Sequence, residues 1–238
     1  MSSSKTVLIT GCSRGVGLGL AKEYFARGYQ VIATCRNPDG ANDLKTFLEK
    51  NGQKPPIQLD VASQTSIEDC KAKICSDITV LDVLVNNAGI SNKDHPDDLA
   101  SGTDLTEFNQ IMHTNVTAVL SMTQAFLPVL LKSAEPRVIN ISSGLGSLKS
   151  SPRYSTTSYQ CSKAALNMLT KCFADDVKAA TFVAIHPGWV QTDMGSSKNR
   201  KPPVTVEDSA KGIIDVAHGI TPENSGCFMG FDGAKMDY

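Results

Sequence analysis

No stretch of the 238-residue chain reaches the roughly 18 consecutive apolar residues that a membrane-spanning helix needs, so no span is expected. Charge of one sign is also missing: 24 acidic residues stand against 23 basic ones, the formal net charge is −1, and no run of Lys or Arg stands out. That balance gives no support to nucleic acid or an anionic membrane as a partner. The seven cysteines are odd in number and contain no CxxC pair, and the four histidines lack ligand spacing. A disulfide framework and a bound metal are therefore both poor expectations. The opening MSSSKTVLIT has no apolar stretch of signal-peptide length, and the closing KMDY is neither a retention nor a peroxisomal signal. A reducing, cytoplasmic setting is expected.

What is present is a chain that can fold. Hydrophobic residues make up 41% and charged residues 20%, enough to bury a sizeable core. Short β-branched runs at 6–10, 30–35, 57–59, 80–86, 137–141, 181–185 and 227–231 alternate with amphipathic segments near 15–27, 40–50, 64–76, 104–133, 156–178 and 205–219. Strands that read as near-continuous apolar runs between helices predict a parallel seven-stranded sheet covered on both faces, a doubly wound α/β Rossmann fold. Gly28 is placed to stop the first helix, and Pro187-Gly188 to close the sixth strand. There is no internal repeat, no low-complexity tract and no linker, so residues 1–238 are expected to form one domain. Two polar loops stand out, 91–103 and 191–204.

Directly after the first strand comes Thr10-Gly11-Cys12-Ser13-Arg14-Gly15-Val16-Gly17. A glycine-rich turn between strand and helix lets main chain approach a pyrophosphate, whose charge then lies on the helix N-terminus. Gly11 permits the turn, and Gly15 and Gly17 remove side chains where phosphate and sheet come close. The bland alternative is a glycine loop without a ligand, and the position between strand and helix argues against it. At the end of the second strand, where a free ribose 2′-hydroxyl would call for an acid, the chain reads Thr34-Cys35-Arg36. Arg36, helped by Arg14, is suited to clamp a 2′-phosphate, which favours NADP(H) over NAD(H). Either arginine alone would read as an ordinary surface residue.

Tyr159-Gln160-Cys161-Ser162-Lys163 places a phenol and an ammonium at i and i+4 on one helix face. A nearby positive charge favours phenolate and is expected to lower the tyrosine pKa, suiting it to general acid–base work. In a chain with five tyrosines such a pair is close to what chance supplies. Its neighbours carry the weight.

Those neighbours occur in a recognisable order: TGxxxGxG at Thr10–Gly17, Asp60-Val61, NNAG at Asn86–Gly89, Asn115, Ile141-Ser142-Ser143, YxxxK at Tyr159–Lys163, and Pro187-Gly188. Over essentially its whole length the chain resembles the short-chain dehydrogenase/reductase family. Within it, ITGCSRGVGLGL, NISSGLGSL and HPGWVQTDMG are similar to the Sniffer-like and C-factor-like carbonyl reductase branch.

The resemblance implies a catalytic tetrad of Asn115, Ser143, Tyr159 and Lys163. Ser143 would hydrogen-bond the substrate oxygen and Tyr159 would protonate it while hydride arrives from the nicotinamide. Lys163 would bind the nicotinamide ribose, and Asn115 would hold a water in a proton relay. The cofactor, NADPH, would meet Gly11, Ser13, Arg14, Gly15, Val16 and Gly17 at the turn, Arg36 at the second strand, and Asp60 and Val61 at adenine. Asn87, Ala88 and Gly89 would lie along the adenosine side, and Pro187, Gly188, Val190 and Thr192 at the nicotinamide end, with Tyr159 and Lys163 touching the cofactor as well. Part of the Asn86–Gly89 role is a strand-ending turn against the sheet.

Successive strand residues face opposite ways, so only one of Ser142 and Ser143 can face the substrate, and the family pattern favours Ser143. Tyr154 lies in the polar insert 149–157 without a partner lysine and is expected at a pocket wall or on the surface. Trp189, the one tryptophan, either shapes the pocket with Leu145 and Met194 or anchors its loop. The loop 191–204 is short for a lid, which suggests an open site and broad substrate tolerance. The expected partners are a small-molecule carbonyl compound and a second copy of the chain, paired through the long segments 104–133 and 156–178 as the family commonly does. The competing readings are an NAD-dependent alcohol or sterol dehydrogenase, which would want a carboxylate after the second strand, and a non-catalytic NADP-binding redox sensor, which would be expected to have lost Tyr159 or Lys163.

Overall fold

Two strands are buried along their whole length, Thr6–Ile9 (β1) and Val83–Asn86 (β4), and they pair side by side in parallel. Burial on both faces is why their sequences, TVLI and VLVN, lack the polar alternation of a half-exposed strand. The computed structural model, which describes residues 4–92, 98–150, 156–196 and 201–238, builds outward from this pair. Gln30–Cys35 (β2) and Ile57–Gln58 (β3) extend one side; Arg137–Ile141 (β5), Thr181–His186 (β6) and Phe228–Gly230 (β7) extend the other. All seven strands run parallel in the order β3-β2-β1-β4-β5-β6-β7. The order reverses between β1 and β4, and the crevice outside their carboxyl ends is where such sheets bind ligands.

Helices cover both faces. Gly15–Ala26 (α1), Asn42–Lys50 (α2) and Val206–Gly219 (α7) bury Leu20, Tyr24, Leu44, Leu48, Ile213 and Ile214 against Val7, Ile9, Val31, Val83 and Val183. On the other face Gln64–Asp77 (α3), Ala118–Leu130 (α5) and Thr157–Asp176 (α6) bury Ile67, Ile74, Met122, Phe126 and Phe173 against Leu8, Leu84, Val138 and Phe182. Each such large apolar side chain contributes about 1.5–3 kcal/mol relative to exposure. Gly28 does stop α1, at φ +82°, with its amide bonded to the Phe25 carbonyl and that of Tyr29 to Tyr24.

One expected element is corrected. The segment 104–133 is not a uniform helix: Leu105–Met112 (α4) runs into a π turn, His113–Thr117, before α5 begins, and α5 ends at Leu130. A π turn carries one residue more than the α register allows and is found where a side chain is needed in a particular place. Here it carries Asn115, fully buried. The fourth strand also starts later than the run 80–86, at Val83, although Asp82 already bonds the Thr6 carbonyl.

Candidate active site

The turn between β1 and α1 is shaped by close main-chain approaches. Gly11 and Gly15 have φ of +72° and +57°, a region that favours glycine. A Cβ on Gly17 would stand 2.3 Å from the Gly11 carbonyl oxygen and 2.5 Å from Asn87 Nδ2. Asn87 is the staple across the crevice: its Nδ2 donates to the carbonyls of Thr10 (2.8 Å) and Gly11 (3.2 Å). In return the amides of Asn87 and Ala88 both donate to Thr10 Oγ1 at 3.0 Å. Ser13 and Val16 are half-buried in the same turn.

The first turn of α1 is open to an anion. Side chains cap α3 (Ser63), α4 (Asp104) and α7 (Thr205), but α1 has no side-chain cap and no acid in its first turn. Its leading amides therefore keep their partial positive charge facing the β1/β4 crevice. At the end of β2, Thr34 is buried with its hydroxyl on the Ile9 carbonyl, while Arg36 is exposed. Arg14 is exposed too and pairs with Asp193 at 3.2 Å, both side chains more than 70% accessible. Water screens such a pair heavily, so Arg14 stays available to a stronger anion. Asp60 closes a local turn, Oδ1 accepting from the Ala62 amide, and Val61 beside it is buried.

Tyr159 and Lys163 project from α6 toward the end of β5. The Ser143 hydroxyl lies near enough to the Tyr159 phenol to favour its ionised form. Ser143 Oγ also accepts from the Leu145 amide and caps the short 3-10 turn Gly144–Gly146. Ser142 faces away, its hydroxyl 2.6 Å from Asn167 Oδ1 in the interior, so Ser143 is the one beside Tyr159. That turn lies tight on α6: a Cβ on Gly146 would come 2.7 Å from the Lys163 carbonyl carbon.

Lys163 is buried and donates to the Ile141 carbonyl at 2.8 Å, with Nζ 5.5 Å from the centre of the Tyr159 ring. Contrary to the spacing-based expectation, the phenol is not lowered in this arrangement. Burial pushes it up to about 12, outweighing the lowering bond with Ser143. Burial likewise brings the Lys163 ammonium down to about 8.

Asn115, on the π turn, uses its whole amide. Oδ1 accepts from the Ile90 amide (2.9 Å), and Nδ2 donates to the Ile90 carbonyl (2.8 Å) and to Ser162 Oγ (3.0 Å). It thus ties the segment after β4 to α6, and Gly89 keeps the gap open, since a Cβ there would meet Asn115 Oδ1 at 3.1 Å and Lys163 Nζ at 3.7 Å.

The loop after β6 forms the far wall. The Pro187 carbonyl accepts from Ser209 Oγ (2.6 Å), Gly188 turns at φ +85°, and buried Val190 bridges to Val204. Thr192 contacts the phosphate turn, its Cγ2 lying 3.2 Å from where a Gly15 Cβ would be. Trp189 donates Nε1 to the Gly195 carbonyl at 2.9 Å and is 43% exposed, so it anchors the loop while leaving a face to solvent. Leu145 is half-buried and Met194 exposed. Tyr154 and residues 197–200 lie outside the described residues.

Four side chains have bonding roles that the sequence reading did not assign. Asn86 and Asn140 join β4 to β5 at 2.9 Å, and Asn140 continues to Thr170 on α6. Ser162 receives Asn115 and donates to the Tyr159 carbonyl. Asp98 bonds the Ser158 amide at 2.6 Å. Among the described residues no cluster of His, Cys, Asp and Glu is placed to hold a metal ion, and no helix is long and apolar enough to cross a membrane.

Fold, turn and hydroxyl pair define an oxidoreductase of the short-chain type, and comparison with known proteins agrees. The profile of the family described as short chain dehydrogenase matches residues 5–203, and the chain belongs to that family. It is similar to an NADPH-bound carbonyl reductase from chicken fatty liver, 35% identical with a TM-score of 0.92 over 99% of both chains. It is similar also to the carbonyl reductase Sniffer of D. melanogaster, 29% identical with a TM-score of 0.90 over 99% of this chain and 100% of that one. An uncharacterized oxidoreductase of Schizosaccharomyces pombe is 30% identical over 100% of this chain and 99% of its own.

Proposed function

We propose that the protein reduces aldehydes or ketones with NADPH, Tyr159 giving the proton. The observation that carries this reading is the Tyr159 phenol at the carboxyl edge of the sheet, with the Ser143 hydroxyl beside it, Lys163 Nζ 5.5 Å from its ring and an uncapped α1 N-terminus across from it. When bound, the dihydronicotinamide supplies the hydride. Ser143 and Tyr159 together point two hydroxyls at one place, where a carbonyl oxygen gathers charge as it is reduced. Tyr159, with its phenol held up to about 12, is fully protonated at neutral pH and so is loaded as an acid for the reductive direction. Lys163 sets a positive charge beside the ring, and Asn115 holds Ile90 and Ser162 so that phenol and ammonium keep their spacing. The open α1 amides and the turn from Gly11 to Gly17, with Ser13 and Val16, would seat the pyrophosphate. Asp60, Val61, Asn87, Ala88 and Gly89 would hold the adenosine side, and Pro187, Gly188, Val190 and Thr192 the nicotinamide. Leu145, Trp189 and Met194 would border an open pocket tolerant of varied carbonyl compounds.

The test is direct: NADPH and NADH oxidation followed by absorbance with a panel of quinones, diketones and aromatic aldehydes. No NADPH oxidation with any of them rejects the reading.

The cofactor preference rests on Arg36 and Arg14 with no acid at Thr34–Arg36. Arg36→Asp should weaken NADPH by about 10–100-fold, the worth of a charge-assisted phosphate contact, and change NADH far less. Equal losses for both cofactors, read by fluorescence titration, would remove the 2′-phosphate clamp.

A pH limb follows from Lys163. Desolvation lowers its pKa to about 8, so the ammonium is charged below that value and loses charge as pH rises through it. The kcat/KM for NADPH, which reports the free enzyme, should fall through about pH 8, and Lys163→Met should be slow without that limb. A wild-type kcat/KM flat from pH 7 to 9 would count against the charge having this role.

Seven free cysteines support a reducing, cytoplasmic setting. Exposed Leu105 on α4 and Met168 on α6 support a homodimer paired through these helices.

A further inference from the structure

The catalytic helix begins without a cap of its own. Thr156, its N-cap residue, makes no side-chain bond to the first turn, and Tyr159 is the third residue of that turn. A helix start of this kind frays unless another group satisfies its leading amides. The group that does so comes from 60 residues earlier in the chain. Asp98 Oδ2 accepts from the Ser158 amide at 2.6 Å, and the Asp98 main-chain carbonyl accepts from the Thr157 amide (3.0 Å) and the Thr157 hydroxyl (2.8 Å). Asp98 and Thr156 also form a parallel β-bridge, and Asp98 is buried.

The carboxylate is itself held. Asn92 Nδ2 donates to Asp98 Oδ2 at 3.0 Å and reaches Glu107 Oε2 on α4 at 3.4 Å. Burial opposes ionisation of Asp98, but hydrogen bonding, first from the Ser158 amide and also from Asn92, outweighs it and holds the carboxyl below its usual range. Tyr159 therefore sits between two clamps. Asp98 fixes the amide just before it, and Ser162, gripped by Asn115, bonds its carbonyl.

We propose that Asp98 is the positioning residue of the catalytic helix, an N-cap supplied from the segment just before α4 that fixes the first turn of α6 and with it the Tyr159 phenol. The inference rests on Tyr159 being the proton donor. Asp98 touches neither substrate nor cofactor in this assignment; it acts through the Ser158 amide.

The test compares Asp98→Ala with Asp98→Asn. Loss of the cap should lower kcat in Asp98→Ala at least about tenfold, since small displacements of a reacting group are costly, with NADPH affinity within about twofold of wild type. Asp98→Asn keeps an oxygen for the Ser158 amide and should stay within about threefold of wild-type kcat, asparagine being as good an N-cap as aspartate. Unchanged kcat in Asp98→Ala overturns the proposal, and so does Asp98→Asn falling as far as the alanine variant. Should Asp98→Ala not fold, amide hydrogen exchange in the wild-type NADPH complex decides: Ser158 should be protected like the interior of α6, and free exchange there overturns the assignment. The two readings fail differently, because an active Tyr159→Phe rejects the proton donor whereas an unprotected Ser158 rejects the cap.

Discussion

Tyr159→Phe is expected to lower kcat for carbonyl reduction by about 10²–10⁴-fold while leaving NADPH affinity close to wild type. The substitution removes one hydroxyl and nothing else: the ring keeps its place on α6 and its packing over Lys163. The lost partner is Ser143, whose hydroxyl still accepts from the Leu145 amide, so the fold should lose about 1 kcal/mol or less. The change in rate is large because the oxygen that takes the hydride-derived charge then meets Ser143 alone and has no acid within reach. Stopped-flow absorbance for the rate and fluorescence titration for NADPH separate the two effects. Undiminished turnover would exclude Tyr159 as the proton donor, and a parallel collapse of NADPH binding would make the phenol a cofactor anchor instead.

Gly17→Ala should disable the protein by another route. On an ordinary helix such a change gains up to about 1 kcal/mol. At position 17 the added carbon would stand 2.3 Å from the Gly11 carbonyl oxygen and 2.9 Å from the Gly11 carbonyl carbon, which are main-chain atoms that a rotamer change cannot move. Relief requires α1 to slide away from β1 or the turn to open, and either displaces Asn87 from its bonds to Thr10 and Gly11. We expect a loss of roughly 1–3 kcal/mol, a fall in Tm of several degrees, and NADPH binding too weak to measure at micromolar cofactor. Gly219→Ala is the matched control: it ends α7 with nothing within 4 Å of the new carbon and should be neutral or slightly stabilising. A Gly17→Ala protein with wild-type Tm and NADPH affinity would show that the turn is looser than its contacts imply.

Much of the site is local enough to be read from residue order. The turn at Gly11–Gly17 announces itself because tight main chain demands glycine at fixed places, and the strand runs announce themselves because burial on both faces forbids polar alternation. Tyr159 and Lys163 lie one helical turn apart whatever else the fold does. What stayed hidden depends on residues far apart in the chain. An aspartate in a polar loop carries no mark saying that it will cap a helix 60 residues later, so nothing in residue order singled out Asp98. The π turn at His113–Thr117 has no signature of its own, since LTEFNQIM and AVLSMTQAFLPVL both read as helix and the extra residue is accommodated between them. The phenol shift was read with the wrong sign because spacing reveals the neighbouring ammonium but not the burial of either group, and burial is the larger influence. The asparagine ladder from Asn86 through Asn140 to Thr170 joins three elements and is visible only once they lie side by side.

The staple between Asn87 and the phosphate turn also bears on how the molecule matures. Thr10 and Asn87 are 77 residues apart, and between them lie β2, β3 and the helices that return the chain to the middle of the sheet. The first 60 residues thus hold every glycine of the turn and Thr10 but not Asn87, whose side chain staples it. Parallel pairing of distant strands is a slow event in folding because loop closure must come first. The competence to hold a dinucleotide therefore arrives late, with the docking of β4 beside β1. A nascent chain still short of Asn87 carries the written motif without the working turn.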